Sequence, residues 1–433
     1  MKNGIYLLMT ALLLYLQESA VAQKIALEEC ITKAKAHFPM NEKNIRIIEE
    51  LTLNTIRTIQ TEWSPKVEVI GQASYQSDVP RIELPASLPF TFPIAPKDQY
   101  KIGVEVVQML YDAGAIKANQ QIQRTQSAVE VQNTKLKINE IAITVAELYF
   151  TVLILDGQKE QLQAMASDLN ARIDELQTAV RHGVAQLSDR QTLEVELLRL
   201  DKQFISMEEQ RNALIMSLSV YTGMEIDREV ILEAPPDDLP VIPQPRPEFE
   251  LFRLQHVHFD AMIAADRYGK APVILAFGQA GYANPGFNML SDKFDWYYAF
   301  GLRLRWTPFD WKNTSRRSAS LQLQKNLVET QREYFRMELK NKDAELSAEL
   351  ARYRRNAEKD REIIALQQQI TENYRAKLKN GSVTSSDYVT ALNNEYRSRM
   401  EESINRLKYR KTLVMKSLAV GEITDDAAIV NFK

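Results

Sequence analysis

The chain carries one succession of segments twice, and this internal repeat constrains its fold more than any single motif. Three pairs of matching segments carry it: 65–75 with 272–282, 103–112 with 301–310, and 183–189 with 381–387. The first pair is 207 residues apart and the others 198, so the intervening loop is nine residues longer in the first half. Each half predicts the same order: a strand, a loop, a second strand, a very long helix, a tight turn and a second helix.

The first 22 residues have the features of a secretory signal peptide. Lys2 gives a positive start, residues 5–16 form a mostly apolar run, and residues 20–22 (Ala-Val-Ala) resemble a cleavage site. A membrane anchor helix is the alternative, but the run is too short to span a bilayer. We therefore expect an exported chain that begins at Gln23. The single cysteine, Cys30, can form no internal disulfide. The cleavage site itself has no cysteine, so a lipid anchor is not expected there.

Two regions show the periodicity of very long helices. Across residues 138–180 and 335–378, apolar side chains recur in steps of three and four, as in a coiled-coil seam. The patterns predict helices over about residues 115–181 and 313–379, each on the order of 100 Å long at 1.5 Å per residue. Helices of this length indicate a rod or a tube.

Each long helix is followed by a turn that contains a glycine. Gly183 and Gly381 are expected to end the two helices in the left-handed conformation. The segments 188–189 (Ser-Asp) and 385–387 (Ser-Ser-Asp) are expected to supply the N-caps of the helices that follow. Each half therefore predicts a helical hairpin with a compact tip.

The segment 295–306 alternates between apolar and other side chains. Its apolar members are Trp296, Tyr298, Phe300, Leu302, Leu304 and Trp306. An alternating run of about eleven residues has the length of a transmembrane β-strand. Trp296, Tyr298 and Trp306 would then form its aromatic girdle. Arg303 and Arg305, on the opposite face, are expected in the barrel lumen, although they could equally pair with acids on neighbouring strands. A half-buried strand of a soluble sheet is the alternative.

Four such strands cannot close a barrel, because an open sheet edge leaves backbone N–H and C=O groups unsatisfied in lipid. At least eight strands are needed, so several copies of the chain must contribute to one barrel. The long helices, packed side by side, would continue this barrel as a helical tube. The predicted fold class is an α+β membrane protein with an internal two-fold repeat.

No motif of a catalytic or metal site accompanies this architecture. The sequence has no G-x-S-x-G, no phosphate-binding P-loop, no H-E-x-x-H and no paired cysteines. His256 and His258 would not face the same way on a helix, which disfavours a metal site. The net charge of −3 gives no strong attraction to nucleic acid. We therefore expect no enzymatic activity, cofactor, metal or nucleic acid partner.

Further motifs accompany the two glycine turns: residues 26–31 (Ala-Leu-Glu-Glu-Cys-Ile), 110–114 (Leu-Tyr-Asp-Ala-Gly) and their echo 308–310 (Pro-Phe-Asp). In this order, and duplicated, these motifs resemble the TolC-like outer membrane factor family over essentially the whole mature chain. The resemblance implies a homotrimer with a twelve-stranded β-barrel, four strands per chain, in the outer membrane of a Gram-negative bacterium. A long periplasmic α-helical barrel and a mixed equatorial belt would complete it.

The resemblance also implies a function and partners. The family serves as the exit duct of tripartite efflux or type I secretion systems. The implied partners are outer membrane lipid, a periplasmic adaptor (membrane fusion) protein and an inner membrane pump of the RND or ABC type, which mostly selects the substrate. A secreted periplasmic coiled-coil scaffold without channel activity is the alternative. A periplasmic hydrolase would lack any catalytic constellation.

The expected boundaries divide the chain into eight segments. They are a signal peptide (1–22), an N-terminal equatorial and helical segment (23–61), a first barrel hairpin (63–111), a first helical hairpin (115–222), an equatorial connection with a helix (223–270), a second barrel hairpin (272–309), a second helical hairpin (313–421) and a C-terminal tail (422–433).

The resemblance places the functional residues at the turns 182–189 and 380–387. The residues expected to dock an adaptor are Gly183, Val184, Leu187, Ser188, Gly381, Ser382 and Ser385. In the family the second turn also supplies a charged periplasmic gate, and of its three positions only Asp387 matches here. Val383 and Thr390 replace an arginine and a second aspartate, which leaves the closed-state lock undefined. Asp387 is expected either to line the gate or only to cap the following helix.

Overall fold

The computed structural model describes residues 24–80, 94, 96–237, 246–289 and 291–421. The predicted signal peptide and C-terminal tail lie outside the described residues. The chain divides into two compact units. Unit 1 comprises the described parts of Met1–Asn44, Thr134–Glu248 and Glu333–Lys433, and unit 2 comprises those of Ile45–Asn133 and Phe249–Arg332.

Helices make up most of the described chain. In sequence order the elements are β1 (Lys24–Ile25), α1 (Leu27–His37), α2 (Glu42–Gln60), β2 (Lys66–Tyr75), β3 (Asp98–Tyr111), α3 (Ala115–Arg181), α4 (Leu187–Thr222), β4 (Ile231–Leu232), α5 (Pro247–Asp266), β5 (Val273–Asn284), β6 (Asp295–Arg305), α6 (Asn313–Lys379) and α7 (Ser385–Met415). Short 3-10 turns at Thr61–Trp63 and Arg267–Lys270 precede β2 and β5, and a π-helical turn at Lys416–Val420 follows α7. The helices α3 and α6 are 67 residues each and span the residues that the apolar periodicity predicts.

Unit 2 contains an antiparallel sheet in the order β2-β3-β5-β6. Each hairpin pairs its own two strands, and β3 joins the hairpins by pairing with β5. This central pairing has one irregularity, between Met109 and Tyr111. Within the described residues, β2 and β6 are edge strands, so the sheet of one chain is open.

A first hydrophobic core of unit 1 surrounds the middle of α3. Tyr149 and Phe150 are fully buried there, among apolar residues of α1, α4, β4 and α7. The Tyr149 hydroxyl lies 2.7 Å from the carbonyl oxygens of Ile25 and Glu233, beside the parallel pair β1–β4. Burial raises the pKa of this hydroxyl above its usual range. The core thus fixes the short N-terminal strand against α3.

A second core of unit 1 joins all four long helices. It consists of Leu162, Met165, Leu169 and Leu176 of α3, Leu193 and Leu200 of α4, Leu378 of α6, and Tyr388, Val389, Leu392 and Tyr396 of α7. On α3, α4 and α7 these residues recur at helical spacing, so each of the three helices presents one apolar stripe, and α6 contributes Leu378. The two helical hairpins therefore form one packed bundle near their turns.

The helix α3 includes a segment that is long and apolar enough to cross a membrane by length and composition alone. Part of α3 lies in the first core of unit 1, where Val145, Tyr149 and Val152 are fully buried. Protein packing therefore accounts for apolar residues of this helix.

Candidate functional site

The sheet of unit 2 has one apolar and one polar face. Directly paired residues lie on the same face, so the pairing of Trp296 with Tyr282 and of Tyr298 with Ala280 continues the apolar stripe of β6 onto β5. The same face continues through Ile102, Val104 and Val106 of β3 to Val69, Val67 and other residues of β2. On the polar face, Lys101 pairs with Gln72, and Glu105 pairs with Glu68 and Gln279. The apolar stripe predicted for β6 therefore continues across all four strands, whereas the opposite face mixes polar with apolar residues.

The two arginines predicted in the barrel lumen lie on the polar face. Arg303 and Arg305 pair with Leu275 and Val273 of β5. The Arg303 guanidinium lies 5.2 Å from the ring centroid of Phe277, a cation–π distance. An aromatic ring, rather than a carboxylate, is thus the described neighbour of Arg303. This contact gives one apolar residue of β5, Phe277, a role on the polar face.

A tyrosine and two glycines form a close contact on the polar face that the sequence did not indicate. Tyr297 is buried although its neighbours on β6 are exposed. A Cβ atom on Gly103 or Gly281 would lie 2.5 Å from the Tyr297 hydroxyl. Lys101 lies over the same ring, 4.9 Å from its centroid. Glycine is therefore required at these two paired positions by the tyrosine that crosses them.

The residues of the predicted aromatic girdle lie along one exposed edge strand. Trp296 and Tyr298 stand near the start of β6, and Trp306 follows its end. All three are exposed. The indole Nε1–H of Trp306 donates to the Lys270 carbonyl over 3.1 Å, which orients this ring. Trp296 and Tyr298 are thus exposed on β6 and Trp306 is exposed just after it, and their place in an aromatic girdle stays a prediction.

Both helical turns end their first helix in the same way. Gly183 and Gly381 have φ values of 71° and 69°, in the left-handed region where glycine is favoured. Gly183 N–H donates to Val180 O, and Val184 N–H donates to Ala179 O, over 3.0 and 2.9 Å. The second turn repeats both bonds from its own glycine. This pair of hydrogen bonds is the Schellman motif, which satisfies the last carbonyl groups of the helix.

The helices after the turns begin earlier than predicted. Gln186 and Thr384 are the N-cap residues, and Asp189 and Asp387 stand three residues later, where their carboxylates accept from the N-cap backbone. These are capping boxes, in which the N-cap and the third helical residue satisfy each other. The predicted caps at 188–189 and 385–387 are therefore corrected: these serines lie inside the first turn, and only the aspartates take part in capping.

Asp387 makes three short polar contacts with one residue. Its Oδ2 accepts from the Thr384 N–H at 3.0 Å and from the Thr384 hydroxyl at 2.7 Å, while its own N–H donates to that hydroxyl at 3.2 Å. The hydroxyl bond, and then the backbone bond, lower the pKa of this carboxyl below its ordinary value. Asp387 is exposed, so capping leaves its charge accessible to solvent. The other two gate positions differ: Val383 is half-buried, and the Thr390 hydroxyl donates to Ser386 O.

The two turns expose different side chains. In the first, Val184 and Leu187 are 77% and 51% exposed. The residues at the matching positions of the second turn are Ser382, which is exposed, and Ser385, which is only 1% exposed. The structure therefore does not place Ser385 on the surface where docking was expected. Gly183, Ser188 and Gly381 are exposed, so the first turn presents an apolar surface and the second a polar one.

Polar contacts between helices near the turns were missed by the sequence reasoning. The Tyr396 hydroxyl donates to Asp168 Oδ2 at 2.7 Å, which joins α7 to α3. Asn393 Nδ2 donates to Glu196 Oε1 at 2.9 Å, which joins α7 to α4. Tyr388, Leu392 and Tyr396 recur every four residues. That spacing was the available signal for an aromatic stripe on α7.

Comparison with known proteins gives likeness of structure without likeness of sequence. No family model matches the chain. No curated protein sequence matches it either. Solved outer membrane proteins match almost the whole chain. The outer membrane protein VceC of Vibrio cholerae has a TM-score of 0.66 at 14% identity, over 92% of this chain and 97% of its own.

Two further solved channels agree with the first. The CmeC outer membrane channel of Campylobacter jejuni has a TM-score of 0.65 at 12% identity, over 92% of this chain and 87% of its own. The MtrE outer membrane channel of Neisseria gonorrhoeae, solved in its open state, has a TM-score of 0.64 at 15% identity, over 91% and 88%. This likeness confirms that the single chain has the fold of solved outer membrane channels.

Proposed function

We propose that this chain, which has the fold of the TolC-like outer membrane channels, forms an exit duct in the outer membrane of a Gram-negative bacterium. The observation that carries the proposal is the two-faced sheet of unit 2. On its apolar face, Phe300 exposes 82% of its surface, and the residues on either side along the β6 stripe are also exposed. A contiguous exposed apolar face marks a membrane or a partner surface, and the polar face suits a water-filled lumen.

The duct is a homotrimer in this proposal. The open edges β2 and β6 would leave backbone groups unsatisfied in lipid, so each must pair with a strand of another copy. Three copies supply twelve strands, within the range of closed outer membrane barrels. Arg303 and Arg305 would then line the lumen together with Lys101 and Glu105 of β3.

The scaffold alternative accounts less well for the sheet. A soluble coiled-coil protein has no need of six alternating apolar residues on an exposed edge strand, and such an edge promotes aggregation in water. The arrangement is what a barrel strand requires, with aromatic residues at both ends of the apolar stripe. We therefore prefer the channel to the scaffold.

The two helical turns are the docking sites for a periplasmic adaptor in this proposal. Their backbones are fixed by Schellman motifs and capping boxes, so they offer a rigid surface that loses little entropy on binding. Val184 and Leu187 supply the apolar part of the first site. Ser382 and the exposed backbone of Gly381 supply the polar part of the second.

Asp387 is the proposed gate residue at the entrance. Like an ordinary aspartate its carboxyl is ionised at neutral pH, and the bonds from Thr384 lower its pKa further. Three such carboxylates, one from each copy, would form a ring that favours cations. The complete system is a tripartite efflux or type I secretion assembly, in which an inner membrane pump of the RND or ABC type selects the substrate.

Fractionation of the expressed protein tests the channel against the scaffold. We expect the protein in the outer membrane fraction, soluble only in detergent, with the mass of three chains in native mass spectrometry and ion conductance in planar bilayers. Recovery as a detergent-free soluble protein without conductance would favour the scaffold and refute the proposal.

Two neighbouring residues of β6 provide a matched pair of variants for this test. Phe300→Asp places a charge on the apolar face and is expected to abolish membrane insertion, at a cost of several kcal/mol near the bilayer centre. Ala299→Asp places the same charge at the same depth on the polar face and is expected to insert. Equal behaviour of the two variants would exclude a membrane location for this strand.

A further inference from the structure

The turn between β6 and α6 has an unusual backbone for its residues. Trp311 and Lys312 are consecutive and have φ values of 54° and 65°. This left-handed region is unfavourable for side chains with a Cβ, and a bulky aromatic residue is rare there. The matching residues of the first half are Ala113 and Gly114, also at positive φ. The second half thus places two large side chains where the first half has almost none.

The side chains of Trp311 and Lys312 are not what holds the turn. In both halves an aspartate accepts backbone hydrogen bonds across it. Asp112 accepts from Gly114 N–H and Ile116 N–H at 2.9 and 2.7 Å. Asp310 accepts from the N–H groups of residues 312 and 314 at 3.2 and 2.8 Å. Because the first half makes the same turn with alanine and glycine, the tryptophan and lysine need another explanation.

These side chains are presented to solvent. Trp311 is 91% exposed, and Phe309, two residues earlier, is 85% exposed. Both follow Trp306 in the sequence and lie in the turn beyond the end of β6. A tryptophan that buries almost nothing contributes little to the stability of the chain that carries it.

Basic residues follow the exposed rings closely in the sequence. Lys312, Arg316 and Arg317 are exposed, whereas the matching residues of the first half are Gly114, Ala118 and Asn119. The nearby acids are already paired: Asp310 lies 2.9 Å from Lys270, and Asp266 lies 3.1 Å from Arg317. The surface formed by Phe309, Trp311, Lys312 and Arg316, here termed the aromatic–basic turn, is therefore positively charged.

We propose that the aromatic–basic turn binds the headgroups of anionic phospholipids at the membrane–water boundary. Tryptophan is enriched at this boundary because its ring is apolar and its N–H is polar. Lysine and arginine beside it attract anionic headgroups. The inference rests on the proposed function, since the turn lies at this boundary only where β6 crosses a membrane. A second copy of the chain is the alternative occupant, and the quenching measurement below separates it from lipid.

Exchange of the turn for its own first-half counterpart tests the proposal. The double variant Trp311→Ala/Lys312→Gly carries the residues found at Ala113 and Gly114, which adopt the same backbone region, so it is expected to fold and assemble. The full-length protein is placed in phosphatidylcholine nanodiscs with and without phosphatidylglycerol. Native mass spectrometry then counts the phosphatidylglycerol molecules retained.

We expect the double variant to bind phosphatidylglycerol more weakly than the wild type. Loss of the lysine alone should weaken binding about fivefold, and loss of the tryptophan ring should weaken it further. The control Lys379→Gln removes one exposed positive charge at the end of α6 and is expected to retain as much lipid as the wild type. Equal retention by wild type and double variant would overturn the proposal. Equal losses in both variants would also overturn it, because charge alone would then explain the effect.

A second measurement locates the ring directly. In a variant with Trp63, Trp296 and Trp306 changed to phenylalanine, Trp311 fluorescence should be quenched more by a nitroxide at the lipid headgroup than by one at the chain centre. No quenching, with the same emission in detergent and in nanodiscs, would assign the ring to a protein contact and overturn the proposal. If the wild-type protein does not insert into membranes, the channel itself is refuted. If it inserts and conducts but neither lipid retention nor Trp311 quenching depends on the turn, only this inference is refuted.

Discussion

Asp189 and Asp387 occupy matching positions in the two helical turns, but their environments differ. Asp189 accepts from the Gln186 N–H at 3.4 Å, whereas Asp387 also receives the hydroxyl of Thr384. The lowered pKa of Asp387 means that its stabilising effect is present above the unfolded-state pKa and is lost as the pH falls through the folded value. At neutral pH it can therefore cap a helix and present a charge at once.

Asp387→Asn separates these two roles. Asparagine retains an oxygen for the Thr384 contacts but removes the charge, so we expect the helix to stay capped and the cation preference of the channel to fall. Reversal potentials in planar bilayers under a salt gradient measure this. Asp189→Asn is the matched control. Unchanged selectivity in Asp387→Asn would remove this residue from the gate and leave it as a cap.

Cys30 is expected to be unreactive in the folded chain. It is fully buried on α1, and burial, with a smaller effect of Glu29, raises the pKa of its thiol to about 11. At about pH 8 the thiolate fraction is then roughly two hundredfold lower than for a free cysteine of pKa about 8.5. Maleimide labelling should therefore be very slow in the folded protein and fast in denaturant. Rapid labelling of the folded chain would contradict the packing of α1 described above.

At the scale of elements, the long helices and β6 could be predicted because their patterns are uninterrupted. The polar face of β5 could not be predicted, because Phe277 lies on it and contacts Arg303 of the neighbouring strand. The sequence of one strand does not show which side chain of the next strand will lie over it. The starts of α4 and α7 were placed too late because serine and aspartate suit an N-cap individually. The actual cap is decided by which residue lies three positions before the aspartate. Contacts between helices, such as that of Tyr396 with Asp168, cannot be read from the sequence near either residue. The sequence shows only that Tyr388, Leu392 and Tyr396 recur every four residues on α7.

The glycines of β5 offer a sharp test of the sheet. Gly281→Ala would push a Cβ against the Tyr297 hydroxyl and the backbone of Gly103, and we expect it to destabilise the protein by about 1–3 kcal/mol. Gly278→Ala on the same strand meets nothing within 4 Å and is expected to be neutral or slightly stabilising. Thermal unfolding followed by circular dichroism compares them. Equal stability of the two variants would show that Tyr297 does not cross the glycine pair.

At the scale of the whole molecule, the duplicated sequence does not produce duplicated surfaces. The two turns have the same backbone but differ in their exposed side chains, and the turns after β3 and β6 differ in the same way. In the proposed trimer there would be six helical turns of two kinds. An adaptor that docks on them must therefore recognise an apolar and a polar surface rather than six equal ones.

The first helical turn can be given the side chains of the second. Val184→Ser/Leu187→Ser removes two exposed apolar residues, so we expect little change in stability but about a tenfold loss of adaptor affinity. Binding of the purified adaptor to the detergent-solubilised channel measures this. Val195→Ser/Leu198→Ser, which removes two exposed apolar residues from α4 outside the turn, is the matched control and is expected to bind the adaptor like the wild type. Undiminished binding by the double variant would exclude the first turn as an apolar docking site.

The edges of β2 and β6, which are unpaired among the described residues, have a consequence for genetics. In the proposed trimer the barrel closes only when every chain pairs through both edges, so one altered chain disrupts the whole trimer. A chain with one blocked edge, produced in equal amount beside the normal one, would leave about one trimer in eight free of the defect. Such alleles should therefore be dominant, and their severity should follow the dose of the altered copy rather than its mere presence.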